Sequence, residues 1–210
     1  MSVTQTKKQT ESNEPMLIGL TGNIGSGKST VAGIIKEMGI PCISSDEIVH
    51  ELYAKDTELQ KFLIDKFGSL DKKEIARQIF GKTEEKITKR KLLESEVHPK
   101  VEKYLKNWVQ ENKKHKLLVN DVPLLFEANL EARFSGIIFI EIDEKLQLSR
   151  IQKRNPEMSS DEIQNRINSQ MPQKIKKNKS DYIILNNSTL TDLIQNVENT
   201  VNLIRNANKI

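Results

Sequence analysis

The chain has 210 residues, with 33 Lys and Arg against 29 Asp and Glu for a net charge of +4, and 36% of it is hydrophobic. That length suits one domain, or one core with insertions, and it is ample for a hydrophobic core. No stretch approaches the roughly 20 apolar residues of a membrane span, and the single cysteine, Cys42, rules out an internal disulfide or a cysteine-based zinc site, which fits a reducing, cytoplasmic setting.

Residues 1–15, MSVTQTKKQTESNEP, are polar and lack the apolar centre of a secretory signal, so a disordered tail is expected there. The first apolar run, MLIGLT (16–21), leads into a glycine-rich loop. Gly22-Asn23-Ile24-Gly25-Ser26-Gly27-Lys28-Ser29 satisfies G-x-x-x-x-G-K-[ST] completely, with Thr30 following. Glycines let the backbone turn tightly, so successive N–H groups point at phosphate oxygens, and the following helix N-terminus adds partial positive charge. Lys28 is expected to reach the β/γ-phosphates and the Ser29 hydroxyl to ligate Mg²⁺. Val31, Ile34, Ile35 and Met38 then form one helical stripe, which Gly39 is placed to end.

A second apolar run, IPCIS (40–44), precedes Asp46. This placement puts the carboxylate at the carboxyl edge of a sheet, where open α/β sheets bind ligands. There it can accept the proton of an attacking hydroxyl; the alternative is a plain helix cap. Residues 46–115 carry no strand signal and predict a helical insertion, with Val97, Val101, Tyr104, Leu105 and Trp108 on one stripe. Trp108 reads as core rather than as a base-stacking platform. His50 and His115 read as surface or packing residues.

The third run, LLVNDVPLL (117–125), places Asp121 where a carboxylate orients Mg²⁺ through water, with Glu127 as a supporting carboxylate. GIIFIEI (136–142) and YIILNN (182–187) complete five apolar runs without clean alternation, as in strands buried on both faces of a parallel sheet. Between them, residues 144–179 are polar and bear arginines, a pattern suited to a lid, with a capping box at Ser159 and Glu162. Arg150 and Arg154, four apart, share a helix face, and Arg166 follows. Guanidiniums of this kind neutralise charge on a transferring phosphoryl group. Leu193, Ile194, Val197, Val201 and Ile204 mark a last helix. Strands alternating with helices imply a doubly wound α/β sheet.

Two tags of guanine-nucleotide switches occur, DKFG (65–68) and NKSD (178–181). Asp65 lies among Leu59, Phe62, Leu63 and Phe67 at helical spacing, not at a strand end, and NKSD follows the basic MPQKIKK rather than a strand. A motor needs further coupling domains. A compact phosphotransferase remains. The lysine clusters at 86–91, 113–116 and 174–179 read as solvated faces rather than a nucleic-acid surface.

From about residue 16 onward the chain resembles the dephospho-CoA kinase family. The stretches that carry the likeness are LIGLTGNIGSGKSTVA, SSDEIVHEL, LDKKEIARQIF, HPKV, DVPLLFE, QLSRIQKRN, RINSQMP and SDYIILNN, in that order. The resemblance implies a P-loop kinase-type three-layer α/β/α fold with a five-stranded parallel sheet, an acceptor-binding insertion at about 46–115 and a lid at about 145–175. It implies transfer of the γ-phosphate of ATP, with Mg²⁺, to the 3′-hydroxyl of the dephospho-CoA ribose, the last step of coenzyme A biosynthesis. Lys28, Asp46 and Arg150 are then the expected catalytic residues. Residues 22–30, Arg150, Arg154 and Asn186 are the expected nucleotide contacts; Asp46, Lys72, His98 and Arg166 are the expected acceptor contacts.

For His98, which precedes Pro99, the alternative is a structural residue at a helix start. The family usually has an aspartate-rich triplet where Ser44-Ser45-Asp46 stands, arginine at Lys72 and aspartate at Leu185. Small-molecule partners alone are expected, with no nucleic acid or membrane, for a monomer or weak homo-oligomer.

Overall fold

A computed structural model describes residues 14–210; the expected tail lies outside the described residues except for Glu14 and Pro15, which have no regular structure. Five parallel strands, β1 (Met16–Gly22), β2 (Cys42–Ser44), β3 (Leu117–Asp121), β4 (Gly136–Glu141) and β5 (Tyr182–Leu185), form one sheet in the order β2-β3-β1-β4-β5. All five residues of β3 and the last five of β1 are buried, which explains runs that are apolar throughout instead of alternating. The third apolar run divides at Asp121: Val122 continues no strand, and the chain turns at Pro123.

Helices α1 (Lys28–Glu37) and α9 (Leu190–Asn208) cover one face, packing Val31, Ile35, Val197 and Ile204 on Ile18, Leu20, Val119 and Ile138. Truncating one of these fully buried side chains to alanine costs about 2–5 kcal/mol. On the opposite face Val122, Leu125, Phe126 and Phe134 pack with Ile137 of β4. Gly19 has no room for a side chain there, since a Cβ would lie 2.6 Å from Leu125 Cδ1 and 3.0 Å from the Phe134 ring.

Between β2 and β3 the described chain is helical: α2 (Ser45–Lys55), α3 (Thr57–Phe67), α4 (Lys72–Ile79) and α5 (Glu84–Glu111). They share a core of their own around Ile48, Leu52, Leu59, Leu63, Ile75, Val97 and Leu105, with Trp108 packed against it. Helix α5 spans about 42 Å and continues through Pro99. The expected helix start at His98 is therefore corrected, since that residue is exposed in mid-helix. Proline is tolerated because it and Ser95, the carbonyl it leaves unbonded, both face solvent. Asp65 lies inside α3, not at a strand end.

Residues 144–179 form three helices, α6 (Glu144–Arg154), α7 (Ser160–Asn168) and α8 (Gln173–Lys179). The basic clusters are dispersed over α5, the turn before β3 and α8.

Candidate functional site

The strand order reverses between β1 and β3. The connection from β1 runs outward to β2 and that from β3 runs the other way to β4, so a crevice opens beyond the carboxyl ends of β1 and β3. The loop 22–27 fills one side of it. Gly25 and Gly27 have φ of +79° and +84°, a left-handed backbone that side chains disfavour by about 1–2 kcal/mol. Gly27 stands at the N-cap of α1 without a side-chain cap, so the first N–H groups of the helix remain available to an anion.

Lys28 extends along the loop and its ammonium contacts the Asp121 carboxylate at the end of β3. Asp121 is registered opposite Leu20 of β1 and Ser44 of β2, which centres it on the crevice floor. Burial pushes its carboxyl above the ordinary value; Lys28 offsets that in part, and Asp46 and Glu47 add to the rise. Nearby, burial raises the Cys42 thiol to about 12, with Asp121 next in importance.

The loop is held from beneath and from one flank. Asn186, buried after β5, donates from Nδ2 to the Ser26 carbonyl at 2.7 Å, and its Oδ1 accepts from Arg150 at 3.3 Å. A Cβ on Gly27 would collide with Asn186 Nδ2. On the flank, Gln147 Nε2 donates to the Ile24 carbonyl at 2.7 Å, and the Ile24 N–H donates to Gln170 Oε1 at 2.8 Å. Asn23 Nδ2 donates to the Met171 carbonyl at 3.1 Å, while the Met171 N–H donates to Glu127 Oε1 at 2.9 Å. Glu127 also lies 2.7 Å from the fully buried Lys176 ammonium of α8. The Ile24 side chain packs on Ile151, Met158 and Ile163 of the α6–α7 unit.

A cavity of about 560 Å³, the size of a small-molecule site, is lined by residues 22–29, Asp46, Pro123, Leu124, Arg150, Arg154 and Gln170. A second, of about 520 Å³, lies between α2 and α5 and is lined by Ile43, Asp46, Glu47, Ile48, His50, Glu51 and Tyr104. Asp46 is common to both. The capping alternative for Asp46 is overturned: Ser44 caps α2, accepting from the Asp46 N–H at 3.2 Å, while Glu47 accepts from the Ser44 N–H at 3.2 Å. The Asp46 carboxylate is left exposed.

The remaining expected contacts are spread wider. Lys72 begins α4 with its ammonium 3.3 Å from His50 Nδ1 and 5.0 Å from the centre of the Tyr53 ring. Arg166 is exposed on α7 and His98 on α5, neither lining the two cavities. Thr30 is exposed in the first turn of α1. Asn186 touches the loop backbone rather than the cavity lining. Gln147, Gln170 and Lys176 carry contacts that no residue-level signal predicts. Of the three, Gln147 and Gln170 lie in stretches that carry the family likeness, QLSRIQKRN and RINSQMP.

Among the described residues no three acidic, His or Cys side chains gather as a metal site. Magnesium that arrives with a nucleotide needs only one or two protein oxygens. The Ser29 hydroxyl on the cavity wall and the Asp121 carboxylate beneath Lys28 are donors of the required hard-oxygen kind.

A family model described as dephospho-CoA kinase matches residues 16–192. The dephospho-CoA kinase of Enterococcus faecalis is 32% identical over 191 residues, covering 87% of this chain and 94% of that protein. Dephospho-CoA kinase CAB5 of Saccharomyces cerevisiae is 32% identical over 213 residues, covering 90% and 83%. Among solved structures, dephospho-CoA kinase from Campylobacter jejuni matches with a TM-score of 0.67 and 27% identity, over 91% of this chain and 98% of that one.

Proposed function

Because this chain belongs to the dephospho-CoA kinase family, we propose that its loop cavity holds ATP, its second cavity holds the ribose end of dephospho-CoA, and Asp46 works between them. The reaction phosphorylates dephospho-CoA with ATP to give CoA and ADP, the last step of coenzyme A biosynthesis. The observation that carries the site assignment is the position of Asp46, the residue shared by the two cavities.

The phosphates lie on the amides of the loop and the open N-terminus of α1. Lys28 leaves Asp121 for the β/γ-phosphates as the nucleotide enters, a charge-for-charge exchange that avoids an unpaired ammonium. Ser29 would hold Mg²⁺, with Asp121 orienting its water; bound there, the ion screens charge on the phosphate oxygens.

Asp46 accepts the proton of the attacking 3′-hydroxyl, assistance worth about 10²–10⁴ in rate. Arg150, aligned by Asn186, and Arg154 supply positive charge along the phosphates from the lid side. Apolar Pro123 and Leu124 also line the cavity. We assign residues 16–210 as one kinase domain, with 46–115 as the acceptor-binding insertion and 145–175 as the lid. Within the insertion His98, and Lys72 beside His50, are assigned to acceptor contacts, and Arg166 reaches the acceptor from the lid. We place the enzyme in the cytoplasm, with ATP and dephospho-CoA as its small-molecule partners; among the described residues no helix is long and apolar enough to cross a membrane.

The test is ADP release from Mg-ATP across a panel of acceptors. Dephospho-CoA is expected to stimulate turnover far above adenosine and shikimate. Equal stimulation by all three would overturn the assignment.

A further inference from the structure

The RINSQMP stretch has one side chain that reaches the loop cavity and has no part in the mechanism above: Gln170. Its side chain is oriented by a constraint that permits one answer. The partner of its amide is the Ile24 N–H at 2.8 Å. A backbone N–H only donates, so the group facing it must be the carbonyl oxygen, and the NH₂ must face the other way. The Gln170 main chain is fixed as well, through its own N–H to the Ile167 carbonyl at 3.1 Å and through Met171 on both Asn23 and Glu127. The Gln170 NH₂ has no acceptor among the described residues.

The loop enters α1 at Gly27–Lys28, and the helix N-terminus there takes the inner phosphates. Ile24, to which Gln170 is anchored, lies three residues before Gly27, toward the β1 side of the loop.

We propose that Gln170 is a further catalytic residue, whose anchored amide donates a hydrogen bond to the terminal phosphoryl group of ATP. This rests on the reading of the loop cavity as the nucleotide site. A neutral donor adds a directed bond to the group in flight without adding another cation to the ADP left behind. It also links the lid to the transfer step, because the Ile24 contact forms only when the 170–172 turn lies against the loop.

The experiment compares binding of ADP and of a non-hydrolysable ATP analogue, each with Mg²⁺, by titration calorimetry. Wild-type protein must bind both; failure at that point sinks the nucleotide reading itself and is distinct from failure of the proposal. Gln170→Glu keeps an oxygen for the Ile24 N–H and replaces the donor with an anionic acceptor. Its melting temperature should stay near wild type, while the ATP analogue binds about tenfold or more weakly, the scale of a lost hydrogen bond to a charged group, and ADP changes by less than about threefold. Equal weakening of both ligands, or of neither, overturns the proposal. Should Gln170→Glu fail to fold, Gln170→Met, of similar shape and without a donor, is read by the same ratio: a fall in preference for the ATP analogue supports the proposal, and an unchanged ratio overturns it.

Discussion

The Lys28 ammonium rests against the Asp121 carboxylate, so the residue expected to neutralise the nucleotide has a counter-charge of its own within the site. Lys28→Met therefore removes two things. Phosphoryl transfer should fall by about 10²–10³-fold, as for other single stabilising donors. The buried Asp121 should also lose its partner, with a stability loss of about 1–3 kcal/mol. Steady-state ADP release and thermal unfolding measure the two effects separately.

Asp46→Asn tests the proton acceptor. Ser44 and Glu47 cap α2 without help from the Asp46 carboxylate, so the melting temperature should not change. Turnover should drop by about 10²–10⁴-fold, with ATP affinity within a few-fold of wild type. A drop in melting temperature with turnover intact would return Asp46 to a structural part.

Gly27→Ala introduces a Cβ into a left-handed backbone and against Asn186. The backbone alone costs about 1–2 kcal/mol, and the displaced Asn186 no longer fixes the Ser26 carbonyl or Arg150. ATP binding should be lost. In the double variant with Asn186→Ala the collision disappears but the strain remains, so stability should recover only in part. Calorimetric unfolding of the two variants reads that difference.

Lys176 is fully buried against Glu127. Glu127→Gln keeps an acceptor for the Met171 N–H but strands the ammonium, which should cost about 3–5 kcal/mol. The double variant Lys176→Met with Glu127→Gln removes the stranded charge and should regain most of that loss. Chemical denaturation curves of the single and double variants test the cycle.

Cys42 should resist alkylation. Its thiol is raised from 9.0 to about 12, so at pH 8 its thiolate fraction is about a thousandfold below that of an ordinary thiol. The sign for stability follows from the direction. The folded state holds the proton more tightly, so this contribution is complete below pH 9 and is lost as pH rises from 9 toward 12. Iodoacetamide labelling followed by mass spectrometry, native against denatured, checks the first statement; labelling at the same rate in both states would refute it.

Much of the site is legible in the sequence because its parts are local. The loop motif, Asp46 just past β2 and Asp121 at the end of β3 are each readable from a run of about ten residues, and the parallel sheet follows from apolar runs buried on both faces. The flank of the loop is not legible in that way. Gln147 and Gln170 meet Ile24 across sequence separations of 123 and 146 residues, and glutamine has neither a charge nor a periodicity to mark it. His98 misleads for a different reason. Proline favours a helix start, but Leu93, Val97 and Leu105, packed into the core of the insertion, keep α5 continuous across Pro99.

The placement of β1 carries a cost during synthesis. Its two neighbours are β3 and β4, so β1 is made about 100 residues ahead of its first partner, on the order of 5–20 s at ordinary elongation rates. In that interval Leu17, Ile18 and Leu20 have no sheet to join, while α2–α5 can already collapse on their own apolar centre. The catalytic half of the molecule is thus completed after the insertion, and the segment that will later cradle the phosphates is the one left longest without its sheet partners.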